Sequence, residues 1–378
     1  MKKIFLIFGT RPEAIKMAPL IEKLKGDNRF CCKVCVTGQH REMLDQVLEL
    51  FQIKPDYDLN VMKPGQTLVS LTSIILYKLN VIFSADKPDM ILVHGDTTTT
   101  LAASLAAYYN QVSIGHVEAG LRTGDLYSPW PEEGNRKLTA AITDLHFAPT
   151  ETSKLNLLKE NVAEQNIHIV GNTVIDALMA IVSKIRSRPE LQIQIAKTLP
   201  FDVKANGIVL ITGHRRENFG IGFDNICFAI RDAALKFKDY NFVYPVHLNP
   251  SVRKPVKDIL SGISNIYLIE PLEYLQFVYL MDKAYIIVTD SGGIQEEAPS
   301  LGKPVLVTRN TTERPEAVAA GTVRLVGTDK NKIFNELDLL LTDKGAYEKM
   351  STASNPYGDG QTSKRIIDIM ADWYNLNK

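Results

Sequence analysis

The chain has 378 residues, 45% of them hydrophobic and 23% charged, and its 43 basic and 43 acidic side chains cancel to zero net charge. That length allows two domains with cores of their own, and the composition is that of an ordinary soluble globular protein. A neutral total excludes the strongly basic balance of a nucleic-acid binder or of a protein held to an acidic membrane face, while leaving room for a local basic cleft.

The N-terminus, MKKIFLIFGTRPEA, has two lysines followed by an apolar run. The run is too short for a signal peptide and no small-residue cleavage site follows, so it reads as a first β-strand. No run approaches the ~18 apolar residues that a membrane span needs. The four cysteines are Cys31, Cys32, Cys35 and Cys227. Cys32 and Cys35 have CxxC spacing, but no second pair lies near, and CCKVCVTG reads as a strand. Reduced, mostly buried thiols in a cytoplasmic protein are expected, and no metal site.

Short apolar, β-branched runs then alternate with helical stretches. The first series of strands covers 3–9, 33–38, 89–96, 112–119, 145–150 and 167–172. The second covers 207–214, 241–247, 266–272, 284–290, 303–308 and 323–328. Continuous apolar strands separated by helices imply parallel sheets covered on both faces. Two such series predict an α/β protein of two Rossmann-like, doubly wound domains facing a cleft. The stretch from Gly171 to about Asn206, helical and then polar, is the expected boundary.

Ligands of doubly wound sheets bind at the carboxyl ends of the strands, so the strand ends carry the chemistry. The first strand ends in GTRPE, where Pro12 suits the first helical turn. Arg11 and Lys16 at that helix start suit an anion. The strand at 89–96 delivers His94 and Asp96, for which a helix N-cap is the competing role. The next strand end supplies His116 and Glu118, and Glu118 is poorly explained as a cap because Ala119 and Gly120 open no helix. The loop YSPWPEEGNRK adds Glu132, Glu133 and Arg136. In the second half, LITGHRREN ends a strand with His214, Arg215 and Arg216. TDSGGIQEEAPSLGKP follows, a strand, a small-residue loop and a helix start: glycines let backbone N–H groups approach a ligand, and the helix N-terminus favours negative charge. RNTTERPEAVAAGT supplies Arg314 and Glu316. Cations and the SGG turn at strand ends of both halves, with carboxylates concentrated in the first, suit an acidic ligand such as a nucleoside diphosphate. No GxxxxGK[ST], GxGxxG, HExxH or GxSxG motif occurs, which argues against a P-loop NTPase, a tightly held dinucleotide, a zincin and an α/β-hydrolase.

Eight ordered segments carry a resemblance: FGTRPEAIKMAPL, TGQHREMLDQV, VHGDTTTTLAASLAA, HVEAGLRT, PEEGNRK, GHRREN, DSGGIQEEAPSLGKPVLV and TTERPEAVAAGT. In order and spacing along almost the whole chain they resemble the non-hydrolysing UDP-N-acetylglucosamine 2-epimerases. The resemblance implies a glycosyltransferase-B-type fold. Its N-terminal domain is 1–171, joined by a C-terminal helix at 359–378 that packs back on it through Ile366, Ile367, Met370, Trp373 and Tyr374. Its UDP-binding domain is 172–358. The implied activity is reversible conversion of UDP-GlcNAc to UDP-ManNAc without a cofactor, for surface polysaccharide precursors, in the cytoplasm, by a homodimer. No nucleic acid or membrane partner is implied.

Residue by residue, Asp96, Glu118 and Glu132 correspond to the catalytic carboxylates. Arg11, Lys16, His214 and Arg314 correspond to substrate-contacting positions, with His214 also grouped with the catalytic residues and Arg136 with substrate binding. Ser291, Gly292 and Gly293 correspond to the diphosphate and ribose clamp, Glu297 to the ribose-binding carboxylate and Phe277 to a uracil-side residue. Leu272 stands where some relatives have glutamine. Gly65 stands where members with a second, allosteric UDP-GlcNAc site carry arginine, which speaks against such regulation. The alternatives are a hydrolysing epimerase that releases free ManNAc and UDP, a glycosyltransferase of the same fold, and a silent nucleotide-sugar-binding protein, for which three extra carboxylates have no use.

Overall fold

A computed structural model describes residues 1–39, 41–63, 65–203 and 207–376. His40, within one of the resembling segments, and Asn206, the end of the expected boundary, lie outside the described residues. The chain divides into two compact units, Met1–Ala177 with Tyr357–Lys378, and Leu178–Pro356.

The first unit holds a seven-stranded parallel sheet. Its strands are β1 (Lys2–Phe8), β2 (Phe30–Val36), β3 (Tyr57–Asp58), β4 (Met90–His94), β5 (Ser113–Val117), β6 (Leu145–Ala148) and β7 (Ile167–Ile169), in the order β3-β2-β1-β4-β5-β6-β7. The second unit holds a six-stranded parallel sheet of β8 (Gly207–Thr212), β9 (Tyr240–Pro245), β10 (Ile266–Ile269), β11 (Ala284–Thr289), β12 (Val305–Val307) and β13 (Val323–Leu325), in the order β10-β9-β8-β11-β12-β13. Both are doubly wound. Each chain path starts in mid-sheet, runs to one edge, then returns and runs to the other, so strand order reverses at β1/β4 and at β8/β11. Leu6 aligns with Leu92 across the first reversal, and Thr212 with Thr289 across the second. A ligand crevice forms outside the carboxyl ends at such a point.

The twelve expected strands are present, trimmed by a few residues where the carboxyl ends pass into loops. The two-residue β3 carries too little pattern to be read from sequence. Central strands are apolar throughout because helices cover both faces: Ile4, Leu6, Leu92, Val209 and Ile287 are fully buried. One core gathers Phe5, Ile7, Ile75, Leu79, Phe83 and Val93 in the first unit. Another gathers Phe223, Ile230, Phe242, Ile286, Ile333 and Leu337 in the second.

The expectation that no segment approaches a membrane span is corrected. The helix Leu68–Ala85 has 18 residues and a mean hydropathy of 1.7, long and apolar enough by length and composition to cross a bilayer. Scattered Ser, Thr, Asn and one Lys break its apolar runs, which hides the high mean. Leu71, Ile75, Leu79 and Phe83 face the core, while Val69, Tyr77 and Val81 are exposed. Lys78, its one charged residue, turns its ammonium to the carbonyl of Leu59.

All four cysteines are free thiols. Cys35 and Cys227 are buried, as expected, whereas Cys31 and Cys32, on the part of β2 that β3 does not pair, are half-buried. Burial still pushes the Cys32 thiol up to about 12.

The helix Thr362–Trp373 belongs to the first unit and buries Ile366, Ile367 and Met370 there, while Trp373 stays 40% exposed. Its N-terminal amides are satisfied from a distance: the Asp176 carboxylate accepts from the backbone N–H of Thr362 and Ser363. Tyr374 donates its hydroxyl to the carbonyl of Asp89.

Candidate functional site

At the first reversal, β1 runs into the helix Arg11–Lys25. Gly9 admits no side chain, because a Cβ there would fall 2.1 Å from Thr37 Oγ1 and 2.5 Å from Thr99 Oγ1. Thr10 and Glu13 form a capping box, and the buried Glu13 carboxylate also accepts from Gly9 N–H and from the Thr97 hydroxyl. This ties the end of β1 to the loop after β4. Arg11, half-buried, stands in the first turn of that helix.

Lys16, one turn further on, donates to both oxygens of Glu118, 2.8 Å from Oε1. Glu118 follows β5, is buried, and has φ +63°, a left-handed backbone that a residue with a β-carbon adopts only at a cost. His94 Nε2, at the end of β4, lies 2.8 Å from Glu118 Oε2. Burial raises the Glu118 carboxyl, but the charges of Lys16 and His94 outweigh it and hold the group well below the ordinary carboxylate value.

Asp96 is not the helix cap: Thr97 fills that role for the helix Thr98–Tyr109 by accepting from Thr100 N–H. The Asp96 carboxylate is instead gripped by Arg136, 2.9 Å from Nε and 2.7 Å from Nη2, and its carbonyl accepts from Asn135 Nδ2. The expected binding residue Arg136 thus holds a carboxylate of the site. Glu132 and Glu133 open the helix Glu132–Ala141 and diverge. Glu133 is fully buried and structural, accepting from the N–H groups of Thr123 and Gly124 and from Arg136. Glu132 keeps a buried Oε2 with no hydrogen-bond partner, the mark of a group placed for something other than the fold.

At the second reversal, β8 ends in Gly213-His214-Arg215 and β11 in Asp290-Ser291-Gly292-Gly293. Ser291 is the N-cap of the short helix Gly292–Glu297, yet its hydroxyl makes no capping bond. The first amides of that helix are thus left to other acceptors. Arg314 lies over this start: a Cβ on Gly292 would meet its guanidinium carbon at 3.9 Å, and its Nε donates to the buried Glu296. Thr312 donates to Gln295 Oε1 at 2.6 Å, which fixes the loop carrying Arg314 to the helix. Glu297 is half-buried and accepts from the Tyr274 hydroxyl at 3.2 Å. Phe277 sits half-buried on the same helix as Tyr274, Tyr274–Lys283. His214 has a side chain 46% exposed, stacked on His247 with ring centroids 5.1 Å apart. Burial lowers its pKa, with His247 and Arg215 adding to the effect and Asp290 opposing it.

The first unit therefore brings Arg11, Lys16, Asp96, Glu118, Glu132 and Arg136 to strand ends and adjoining helix starts of one sheet. The second does so for His214, Phe277, Ser291, Gly292, Gly293, Glu297 and Arg314. Sequence reasoning places His94 and Asp290 at strand ends without giving either a role. It passes over Glu13, whose Thr-x-x-Glu spacing is a readable capping box. Among the described residues, no three His, Cys, Asp or Glu side chains are grouped to hold a metal ion.

A family model described as UDP-N-acetylglucosamine 2-epimerase matches residues 22–371. The UDP-N-acetylglucosamine 2-epimerase of Escherichia coli (strain K12) is 61% identical over 368 residues, 97% of this chain and 98% of that protein. The crystal structure of UDP-GlcNAc 2-epimerase from Neisseria meningitidis bound to UDP-GlcNAc is 55% identical, with a TM-score of 0.89 over 98% of this chain and 100% of that one. The Methanocaldococcus jannaschii UDP-GlcNAc 2-epimerase in complex with UDP-GlcNAc and UDP is 34% identical, with a TM-score of 0.78 over 98% and 99% of the two chains. With its two doubly wound sheets and carboxylates and cations at the strand ends, the chain belongs to the UDP-N-acetylglucosamine 2-epimerase family.

Proposed function

We propose that this chain interconverts UDP-GlcNAc and UDP-ManNAc without hydrolysis, by eliminating UDP and adding it back. The C2 proton is not acidic enough for simple abstraction. A base takes it, the C2–H electron pair forms the C1=C2 bond, and the C1–O bond breaks with its pair going to the β-phosphate of UDP. The intermediate is a 2-acetamidoglucal. UDP then returns to the same face of C1 while C2 is protonated from the opposite face. Atoms and electrons balance, and no oxidant is involved.

Asp96, Glu118 and Glu132, with His214, serve the proton transfers. Their contrasting surroundings support a division of labour: Glu118 held ionised, Asp96 paired with Arg136, and Glu132 carrying an unpartnered oxygen. Arg11, Arg314 and the amides of Gly292 and Gly293 suit the charge that grows on the departing diphosphate. Glu297 and Phe277 are assigned to ribose and uracil. The observation that carries the reading is the buried Lys16–Glu118–His94 cluster, because UDP binding alone has no use for a carboxylate held ionised at a strand end. Product analysis by proton NMR tests it. UDP-ManNAc in equilibrium with UDP-GlcNAc is expected; free ManNAc with UDP identifies the hydrolysing alternative, and no turnover a binding protein.

The homodimer implied by the resemblance is supported by the exposed Val69, Tyr77 and Val81 on Leu68–Ala85, a helix with one charged residue. Sedimentation that returns a monomer at micromolar concentration argues against it. A cytoplasmic setting fits the free thiols and the nucleotide-sugar substrate.

A further inference from the structure

Asp290 is fully buried at the end of β11. Its Oδ2 accepts two backbone hydrogen bonds, from the N–H of His214 at 2.7 Å and of Arg215 at 2.8 Å. Those bonds shape the loop after β8 and account for one oxygen. The other, Oδ1, is buried with no hydrogen-bond partner and lies 3.6 Å from His214 Nδ1. Tyr244 braces the same loop by donating to the Gly213 carbonyl at 3.0 Å. The His214 ring meets His247 on one face, at an interplanar angle of 14°. His247 Nδ1 accepts from Asn249 N–H, so a neutral His247 carries its proton on Nε2. Three groups thus surround the imidazole: Asp290 from β11, His247 from the loop after β9, and Arg215 from its own loop.

We propose that Asp290 is a positioning residue for His214: it holds the ring in the Nδ1–H form and leaves Nε2 as the atom offered to the nucleotide sugar. Which nitrogen of a neutral imidazole carries the proton is set by the partner of the other. A buried carboxylate oxygen without a donor, facing Nδ1, selects a donor there. At 3.6 Å the contact is an ion-pair separation, and a small ring rotation closes it to a hydrogen bond. Catalytic hydrogen bonds are commonly this long before ligand binds. The role assigned to Nε2 rests on the proposed epimerase reading; the state of the ring does not.

Asp290→Asn separates this from a purely structural role. The two backbone N–H groups need an acceptor, so the amide oxygen takes the place of Oδ2. The amide NH₂ then stands where Oδ1 was and donates to Nδ1, forcing the ring to Nε2–H. The loop keeps its shape while the tautomer reverses. The full-length chain, labelled with ¹⁵N-histidine, is examined by long-range ¹H–¹⁵N NMR near pH 8, with and without UDP, and His214 is assigned from the spectrum of His214→Gln. The proton is expected on Nδ1 in the wild type and on Nε2 in Asp290→Asn. Turnover should fall by about 10²–10⁴-fold, the range for losing a positioned proton-transfer group, with KM changed far less. A wild-type ring protonated on Nε2, or an Asp290→Asn enzyme with wild-type kcat, overturns the proposal. If the variant does not fold, the wild-type spectrum alone decides. A wild type that does not turn over UDP-GlcNAc overturns the epimerase reading and leaves the tautomer test standing.

Discussion

The Lys16 ammonium donates to both carboxylate oxygens of Glu118, 102 residues away in sequence, and so joins the helix after β1 to the end of β5. Both side chains are largely buried, at 17% and 5% exposure. Breaking one partner of such a pair strands a charge, at a cost of roughly 3–5 kcal/mol. Lys16→Met is therefore expected to lower the melting temperature and to raise the Glu118 pKa, since burial then faces His94 alone. The pair's contribution to stability is present above the ordinary glutamate value of 4.5 and is lost as pH falls through the depressed value of the folded state. Thermal melts of wild type and Lys16→Met at pH 7 and pH 3.5 check this: the gap between them should be smaller at the lower pH, where the loss has begun. A constant gap contradicts it.

Asp96→Asn, Glu118→Gln and Glu132→Gln should each lower kcat by roughly 10²–10⁴. UDP affinity, read by calorimetry, should change little. Three variants with near-normal turnover would remove these carboxylates from the mechanism. Arg11→Ala and His214→Ala should weaken both UDP binding and turnover.

Arg314 serves two ends. Its Nε holds the buried Glu296, and its guanidinium lies over Gly292. Arg314→Lys keeps a charge but loses the planar fork. UDP should bind about tenfold or more weakly while the fold survives. Arg314→Ala should also unfold more readily, because Glu296, 2% exposed, loses its counter-charge. Unchanged UDP affinity in both variants would detach Arg314 from the nucleotide.

The first unit buries neutral histidines. Burial depresses His116 to about 3 and His146 to about 4, from 6.5. An unfolded chain protonates both below pH 6.5 and the folded chain does not. Stability is thus level above pH 6.5 and falls as pH drops toward 4, by at most about 1.4 kcal/mol per pH unit for each group. Urea unfolding at pH 7.5 and pH 5 should show the loss, and His116→Gln should reduce it. Equal midpoints at the two pH values contradict the account.

Much of the fold is legible in the sequence because buried parallel strands are apolar without alternation. Met90–His94 and Ala284–Thr289 announce themselves in this way, whereas Tyr57–Asp58 is too short to carry a pattern. The helix Leu68–Ala85 does not read as a long apolar segment because Ser, Thr, Asn and Lys78 interrupt its runs. Strand ends named the residue types of the site. Pairings were not legible: nothing in the sequence says that Arg136 reaches Asp96 or that Lys16 reaches Glu118, since contacts across 40 and 102 residues depend on how strands are ordered in the sheet. His94 and Asp290 are visible as strand-end residues, but their roles are not, because a polar residue ending a strand is usually a satisfied one. The unpaired Asp290 Oδ1, and the approach of His94 Nε2 to 2.8 Å from Glu118 Oε2, distinguish these positions.

The central claim is that C2–H is broken and remade while UDP leaves and returns. Turnover of UDP-GlcNAc in D₂O, followed by proton NMR with no added cofactor, tests it most directly. The account predicts UDP-ManNAc carrying deuterium at C2, and deuterium entering the C2 position of the recovered UDP-GlcNAc as the reaction reverses. Epimerised product that keeps its original C2 hydrogen, formed by active enzyme, would contradict elimination and point instead to oxidation with internal hydride return.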